Sequence, residues 1–448
     1  MSEDKRQHQK QTIKALGKAL FQDLKGNEQL TLSYAGEESL FIRLSQSKVR
    51  QATDIKQGYL TMNFISDQRS TEITFPIIGN LEADLTNAQN ILKRCRDECQ
   101  TLPEDPFVVF PEAGESSEED HYGHLPPIEK LSETLLMPAK SVDLAGLCTS
   151  GFLMRAYMNS KGQSHWFSTE NFYVDYSLYT PSQKAIKAIY AGSDWQDAAY
   201  LMNLQQAKEQ LKNLEKTPKK LSPGKYRVYF APAAVAELVS GFSWSGMSGG
   251  ALMQGRSPLK KLSEGTARLS PLFSLEEDFH QGLVPRFNEF GEVSPLIVSL
   301  IEKGKLISPL INRRTAKEYN LQSNAANASE GLRSPRILPG NLKEEKILSE
   351  LETGLYISNL HYLNWSDLQH GRITGMTRYG CFWVENGEIV SPIQDMRFDE
   401  TLYHFWGTGL EALDEKAKLI PNVSSYEERS LGGVSAPGML VNDFSFTL

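Results

Sequence analysis

Cysteine is scarce in this chain of 448 residues: Cys95, Cys99, Cys148 and Cys381 are all there is. Four cysteines cannot staple a chain of this length, so no disulfide framework is expected and a reducing cytoplasm is the predicted setting. No apolar run reaches the roughly 18 residues that a membrane-crossing helix needs. The opening SEDKRQHQKQ is polar throughout, without the apolar core of a secretory signal. Positive charge is in deficit, with 47 Lys and Arg against 55 Asp and Glu and a formal charge of −8. That balance gives nucleic acid no general electrostatic footing, and none is expected as a partner. Only His121 and His124 lie close together among the eight histidines. A Walker A loop, a His-Glu-x-x-His helix and a four-Cys zinc ribbon are all missing, which removes the commonest phosphate and zinc signatures.

What is present reads as two or three domains' worth of ordinary globular sequence. Ile13, Leu16, Leu20, Phe21 and Leu24 recur at helical spacing, with Gly26 as the expected C-cap. Leu81, Leu85, Ala88, Leu92, Cys95 and Cys99 trace a second helical stripe, and residues 198–216 predict a third helix. Period-two alternation marks strands at 40–44, 60–64 and 73–77, and further strands are expected around 151–157 and 172–179. The acidic, Pro-rich stretch 102–127 reads as an exposed loop or hinge. Pro and Gly in TPKKLSPGK (217–225) end the third helix and place a boundary, giving domains 1–222 and 223–448. A strand at 226–230 and a helix through 233–239 open the second part, beyond which short strands and turns dominate. The predicted class is α+β, an N-terminal α/β domain followed by a larger, β-rich C-terminal domain.

Candidate chemistry is thin. Cys95 and Cys99 have the i, i+4 spacing of a metal clip, but both continue an apolar stripe and read as core. His121 and His124 fall in the acidic stretch, which reads as a solvated loop and not a rigid ligand frame. GMSGG (246–250) copies the Gly-x-Ser-x-Gly pattern around Ser248, yet it follows a helical run where a nucleophile elbow follows a strand. GTGLEA (407–412) imitates a dinucleotide fingerprint without a βαβ unit, and reads as a turn before a short helix. A metal held by the distant His361, His370 and His404 is a further, weaker alternative. Asn386-Gly387, set between apolar runs, predicts a tight hairpin, because both central residues of such a turn need positive φ.

That hairpin lies in ITGMTRYGCFWVENGEIVSPIQDMRF (373–398), which resembles the C-terminal signature of the TldD/PmbA family of zinc metallopeptidases and their partner subunits. Four more blocks follow the family's order: 38–52, 143–178, 230–259 and 431–446. In active members the third block carries His-Glu-x-x-x-His. Anchored on the Gly-rich turn, those positions fall here on Ser240, Gly241 and Ser245. A serine hydroxyl stays protonated at neutral pH and is a poor zinc ligand, and glycine cannot act as a general base. The family's third ligand, a Cys near the C-terminus, has no counterpart after Cys381.

The resemblance therefore implies the PmbA, or TldE, branch. It predicts a cytoplasmic subunit with no catalytic or metal-ligating residue and no cofactor of its own, zinc being carried by a TldD-like partner. Peptides or unfolded proteins are the implied substrates, in proteolysis or peptide maturation. Ser240, Gly241, Ser245 and Ser248 are the cleft candidates. The alternatives are a self-associating, free-standing peptide binder, or a hydrolase with an unrecognised site.

Overall fold

Alternating apolar residues run much further along the first strands than the short motifs suggest. In the computed structural model, which describes residues 3–447, β1 (Gln29–Ser45) and β2 (Lys48–Ser66) pair antiparallel over almost their whole length. At about 3.3 Å per residue, strands of 17 and 19 residues span some 55–60 Å. One face of the sheet is thus long enough to carry two pairs of helices side by side.

The N-terminal sheet has seven strands. β3 (Arg69–Pro76) forms one edge, followed by β2, β1, β5 (Asp143–Asn159) and β6 (Ser164–Tyr179). Both β4 (Ser117–His121), parallel, and β7 (Ala185–Gly192), antiparallel, pair with β6. Leu30, Leu32, Tyr34, Leu60, Met62 and Phe64 meet α1 (Glu3–Gln22) and α2 (Leu81–Cys99) at one end of the face. Further along the same face, Leu40, Ile42, Leu44, Val174 and Tyr176 meet α3 (Ile128–Leu136) and α4 (Asp197–Leu214). The opposite face, with Ser33, Ala35, Glu37 and Ser39, turns towards the C-terminal half.

The C-terminal half builds two sheets around one core. A nine-stranded sheet runs, from its edge, through Asn359–Asp367, Arg372–Arg378, Arg397–Thr401, Met439–Phe446, β8 (Gly224–Phe230), Gly354–Ile357, Phe382–Glu385 and Glu388–Pro392, with Leu410–Leu413 beside Met439–Phe446. A six-stranded sheet orders Lys305–Leu306, Ile297–Glu302, Leu275–Asp278, Pro335–Ile337, Gly433–Ala436 and Lys418–Pro421. Side chains of both sheets, such as Phe230, Leu355 and Phe398 from one and Leu275, Ile337 and Ala436 from the other, share this core. Helix and strand content with this β-rich second half is the expected α+β class.

Several local expectations hold. α2 and α4 span almost the predicted ranges, Cys95 and Cys99 are buried, and burial pushes the Cys95 thiol up to about 11. Asn386 and Gly387 both adopt positive φ between Phe382–Glu385 and Glu388–Pro392. Others need correcting. Residues 117–121 are not loop but the strand β4, laid parallel on β6. The first helix ends at Gln22, so Gly26 serves the following turn and is not its cap. Gly407 lies, with a non-helical backbone of its own, in a widened π-type turn, His404–Thr408, that leads into a strand instead of a helix.

Candidate functional site

Helix α5 (Pro232–Ser240) starts as its sequence dictates. Strand β8 ends at Phe230, and Pro232 occupies the first turn, where the missing N–H has no partner to lose. Ala234, Val235, Leu238 and Val239 are buried on its inner side. The helix tightens into a 3-10 turn at Gly241–Ser243 and leaves through a sharp bend, with Ser245 at φ 68. Gly246 is obligatory there, since a Cβ would approach Phe242 Cα to 2.7 Å. Ser248 then caps the short helix Gly249–Met253.

The four candidate residues diverge. Ser240 lines a cleft, but its hydroxyl donates to the Ala236 carbonyl at 3.0 Å, within its own helix. Gly241 is buried on another side, where a Cβ would meet Ile373 Cδ1 at 3.4 Å and Trp365 at 3.8 Å. Ser245 is exposed on the bend. The Ser248 hydroxyl donates to Glu330 Oε2 at 2.5 Å and accepts from Ala251 N–H at 3.0 Å. Glu330 is itself buried and also accepts from the backbone N–H groups of Gly250 and Asn312, both at 2.9 Å. That carboxylate is saturated as a structural clamp, and Ser248 is one of its ties.

The cleft lies between one side of α5 and its 3-10 extension (Ala236, Ser240, Ser243) and the wall Ile420–Val423 with Gly433–Val434, and encloses about 290 Å³. Leu332, Arg333 and Leu431 also line a second groove of about 380 Å³, which joins the first to the N-terminal sheet at Ser33, Ala35, Thr61 and Arg155. The two grooves share these three residues and are together called the passage. Arg333 stiffens its floor. Its guanidinium donates to Ser294 Oγ at 2.5 Å, Ala325 O at 3.0 Å and Phe287 O at 3.2 Å, and lies over the Phe279 ring at 4.8 Å. Its backbone N–H donates to the Glu277 carboxylate at 3.0 Å. Burial raises the Glu277 carboxyl to about 7, against the opposing pull of the Arg333 charge. Sequence reasoning missed both residues, because no local pattern marks two groups 56 positions apart that meet only in the fold.

The passage is roofed by the segment 422–431. Arg429 in that segment is 1% exposed. It donates to Ser39 Oγ at 3.0 Å and to Asn171 Oδ1, and its own N–H meets Glu37 Oε2 at 3.1 Å. Arg155 holds Glu428 at 2.9 Å, and Tyr173 donates to the Val423 carbonyl at 3.1 Å. A C-terminal segment is thereby pinned across the N-terminal sheet.

The histidines stay apart. His370 pairs with Asp367 at 2.8 Å, His404 lies 3.2 Å from Glu400, and the His361 ring lies against that of Tyr362, tilted by 44°. His121 lies 3.7 Å from Glu119 on β4, and His124 is largely in solvent beside Asp194. Among the described residues no three or more His, Cys, Asp or Glu side chains gather in a way that could hold a metal ion.

The two-sheet C-terminal half is a metallopeptidase-related domain. Residues 223–448 match the profile described as the PmbA/TldA metallopeptidase C-terminal domain. The chain belongs to the TldD/PmbA family. Metalloprotease PmbA of Escherichia coli O157:H7 is 29% identical over 194 residues, a stretch covering 42% of this chain and 41% of that protein. The fold is also similar to that of solved structures. TldE from Thermococcus kodakarensis superposes with a TM-score of 0.75 at 14% identity, over 94% of this chain and 97% of that one. A proposed modulator of DNA gyrase from Thermotoga maritima gives 0.76 at 15% identity, over 98% and 100%. At such identities the likeness is one of fold.

Proposed function

We propose that this chain is a PmbA/TldE-like subunit of a cytoplasmic TldD-type metallopeptidase, working in proteolysis or peptide maturation without a catalytic zinc of its own. The two domains would divide at 222/223. One observation carries the reading: the three positions of the degenerate motif, Ser240, Gly241 and Ser245, offer neither imidazole, thiolate nor carboxylate, and they face three different ways. Such a donor set does not fit zinc, which takes nitrogen, sulfur or carboxylate ligands in tetrahedral array. The passage beside α5 would then guide a peptide, with the partner supplying zinc and the activated water.

The test is to purify the chain alone and together with a TldD-like protein, then measure bound zinc and cleavage of an unfolded peptide. Zinc and chelator-sensitive cleavage only in the mixture support the reading. Stoichiometric zinc and cleavage by the chain alone overturn it.

A further inference from the structure

On the helix-covered face of the N-terminal sheet, Gly36 on β1 stands directly opposite Gly58 on β2. Neither carries a Cβ, and the Tyr34 ring folds into the space they leave, while Met154 on β5 completes the rung. Beside that ring a hollow of about 620 Å³ lies between α1 and the turn Pro76–Gly79, with Gly58 in its lining. That is the size of a small-molecule site.

Its two ends differ. On one side of the glycine pair stand Tyr34 and Leu60, with Ile13 and Ile77 beside them, all buried. On the other stand Glu38 and Lys56, paired at 3.2 Å. Ile78, 72% exposed, extends the apolar surface outwards from the rim.

Tyr34 leans over the gap. A Cβ on Gly36 would sit 2.5 Å from its hydroxyl, and one on Gly58 2.8 Å. The phenol is 2% exposed and accepts from Gln9 Nε2 at 2.5 Å, but its own hydrogen finds no acceptor among the described residues. A buried donor facing a cavity without an acceptor is a place where a ligand oxygen gains most. Burial pushes the phenol up to about 12, so the hydrogen is retained at neutral pH. At the charged end, the Glu38 side chain is four-fifths enclosed, whereas Lys56 is 71% exposed. The carboxylate is fixed and its lysine partner is readily displaced, so a ligand ammonium can take the lysine's place.

We propose that this hollow binds a short apolar peptide by its N-terminus. The ammonium pairs with Glu38, a peptide carbonyl accepts from Tyr34, and apolar side chains cover the Tyr34 ring, Gly58 and Ile78. The proposal rests on the reading above only in taking the ligand to be a peptide. The site lies under α1, has no residue of α5 in its lining, and draws on neither zinc nor partner.

Phenylalanyl-leucine titrated calorimetrically into the full chain, without partner, tests it. Saturable binding is expected, weakened by about tenfold or more when the amine is acetylated, in Glu38→Gln, and in Ile78→Asp. Glu38 and Ile78 are rim positions, so these variants should fold, and thermal unfolding checks that they do. Gly58→Leu, whose side chain enters the hollow against the Tyr34 hydroxyl, should abolish binding, with the same check on folding. No saturation up to about 10 mM, or equal binding of the free and acetylated dipeptides with Glu38→Gln unaffected, overturns the proposal. Because no cleavage is measured, a failure here is separable from a failure of the subunit reading.

Discussion

Glu330 decides what Ser248 does. A nucleophilic serine needs a base free to take its proton, and this carboxylate already accepts two backbone N–H groups as well as the hydroxyl. Ser248→Ala should therefore cost stability by about 1–2 kcal/mol, through the lost cap and the uncovered acceptor. Denaturant unfolding reads that loss, and peptide cleavage by the reconstituted complex should be unchanged. Glu277 yields a pH prediction. In the unfolded chain its proton leaves in the ordinary carboxylate range, but in the fold it leaves only near 7. Between those values the folded state holds the extra proton, so this group's contribution to stability falls as pH rises. The stability of the native chain minus that of Glu277→Gln should fall steadily from about pH 4.5 to about pH 7, as melting in a buffer series would show.

Helix α5 and its exit turn bear on whether a metal site could be rebuilt. Gly241 points its missing side chain at Ile373 and Trp365, away from the cleft that Ser240 lines. The triple substitution Ser240→His, Gly241→Glu, Ser245→His should thus fail to bind zinc stoichiometrically. It should also destabilise the chain by about 2 kcal/mol or more, because a carboxylate is forced among apolar groups. Metal analysis of the purified variant checks the first point and its melting temperature the second. The hairpin at Asn386-Gly387 makes the opposite case, since its cause is local. Gly387 has φ 78, and Gly387→Val should cost about 1–3 kcal/mol in strain.

Legibility in the sequence followed the same division. Where the reason for a structure sits within a few residues, as in that hairpin or the apolar stripe of α2, the residues announced it. β4 did not announce itself. SEEDH has no alternation, because its acids answer to other elements: Glu118 to Lys10 and Lys14 on α1, Asp120 to Trp166 Nε1 and Ser168 on β6. A strand held by its partners' charges reads as a solvated loop until those partners are known. The candidate site was legible as a block of sequence around α5. Its opposite wall, from the far end of the chain, was not.

For the molecule as a whole, the segment 422–431 is the most consequential joint. Arg429→Ala would keep the main-chain bond to Glu37 but remove the guanidinium donors to Ser39 and Asn171 and empty the buried space that this side chain fills. A loss of about 2–4 kcal/mol is expected. Hydrogen exchange should rise mainly in 422–431 and on the facing strands β1 and β6, while the cores under α1–α4 stay protected.

The same joint sets an order of assembly. The bond between Arg429 N–H and Glu37 closes across 392 residues, from the first strand of the chain to within twenty residues of its end. During synthesis the N-terminal half emerges first and can fold first. Until residues 422–431 leave the ribosome, Glu37 and its neighbours face water on an uncovered sheet. The passage between the halves therefore comes late, in the company of the strand Met439–Phe446, and a chain interrupted before residue 422 has every helix of its N-terminal half and no passage at all.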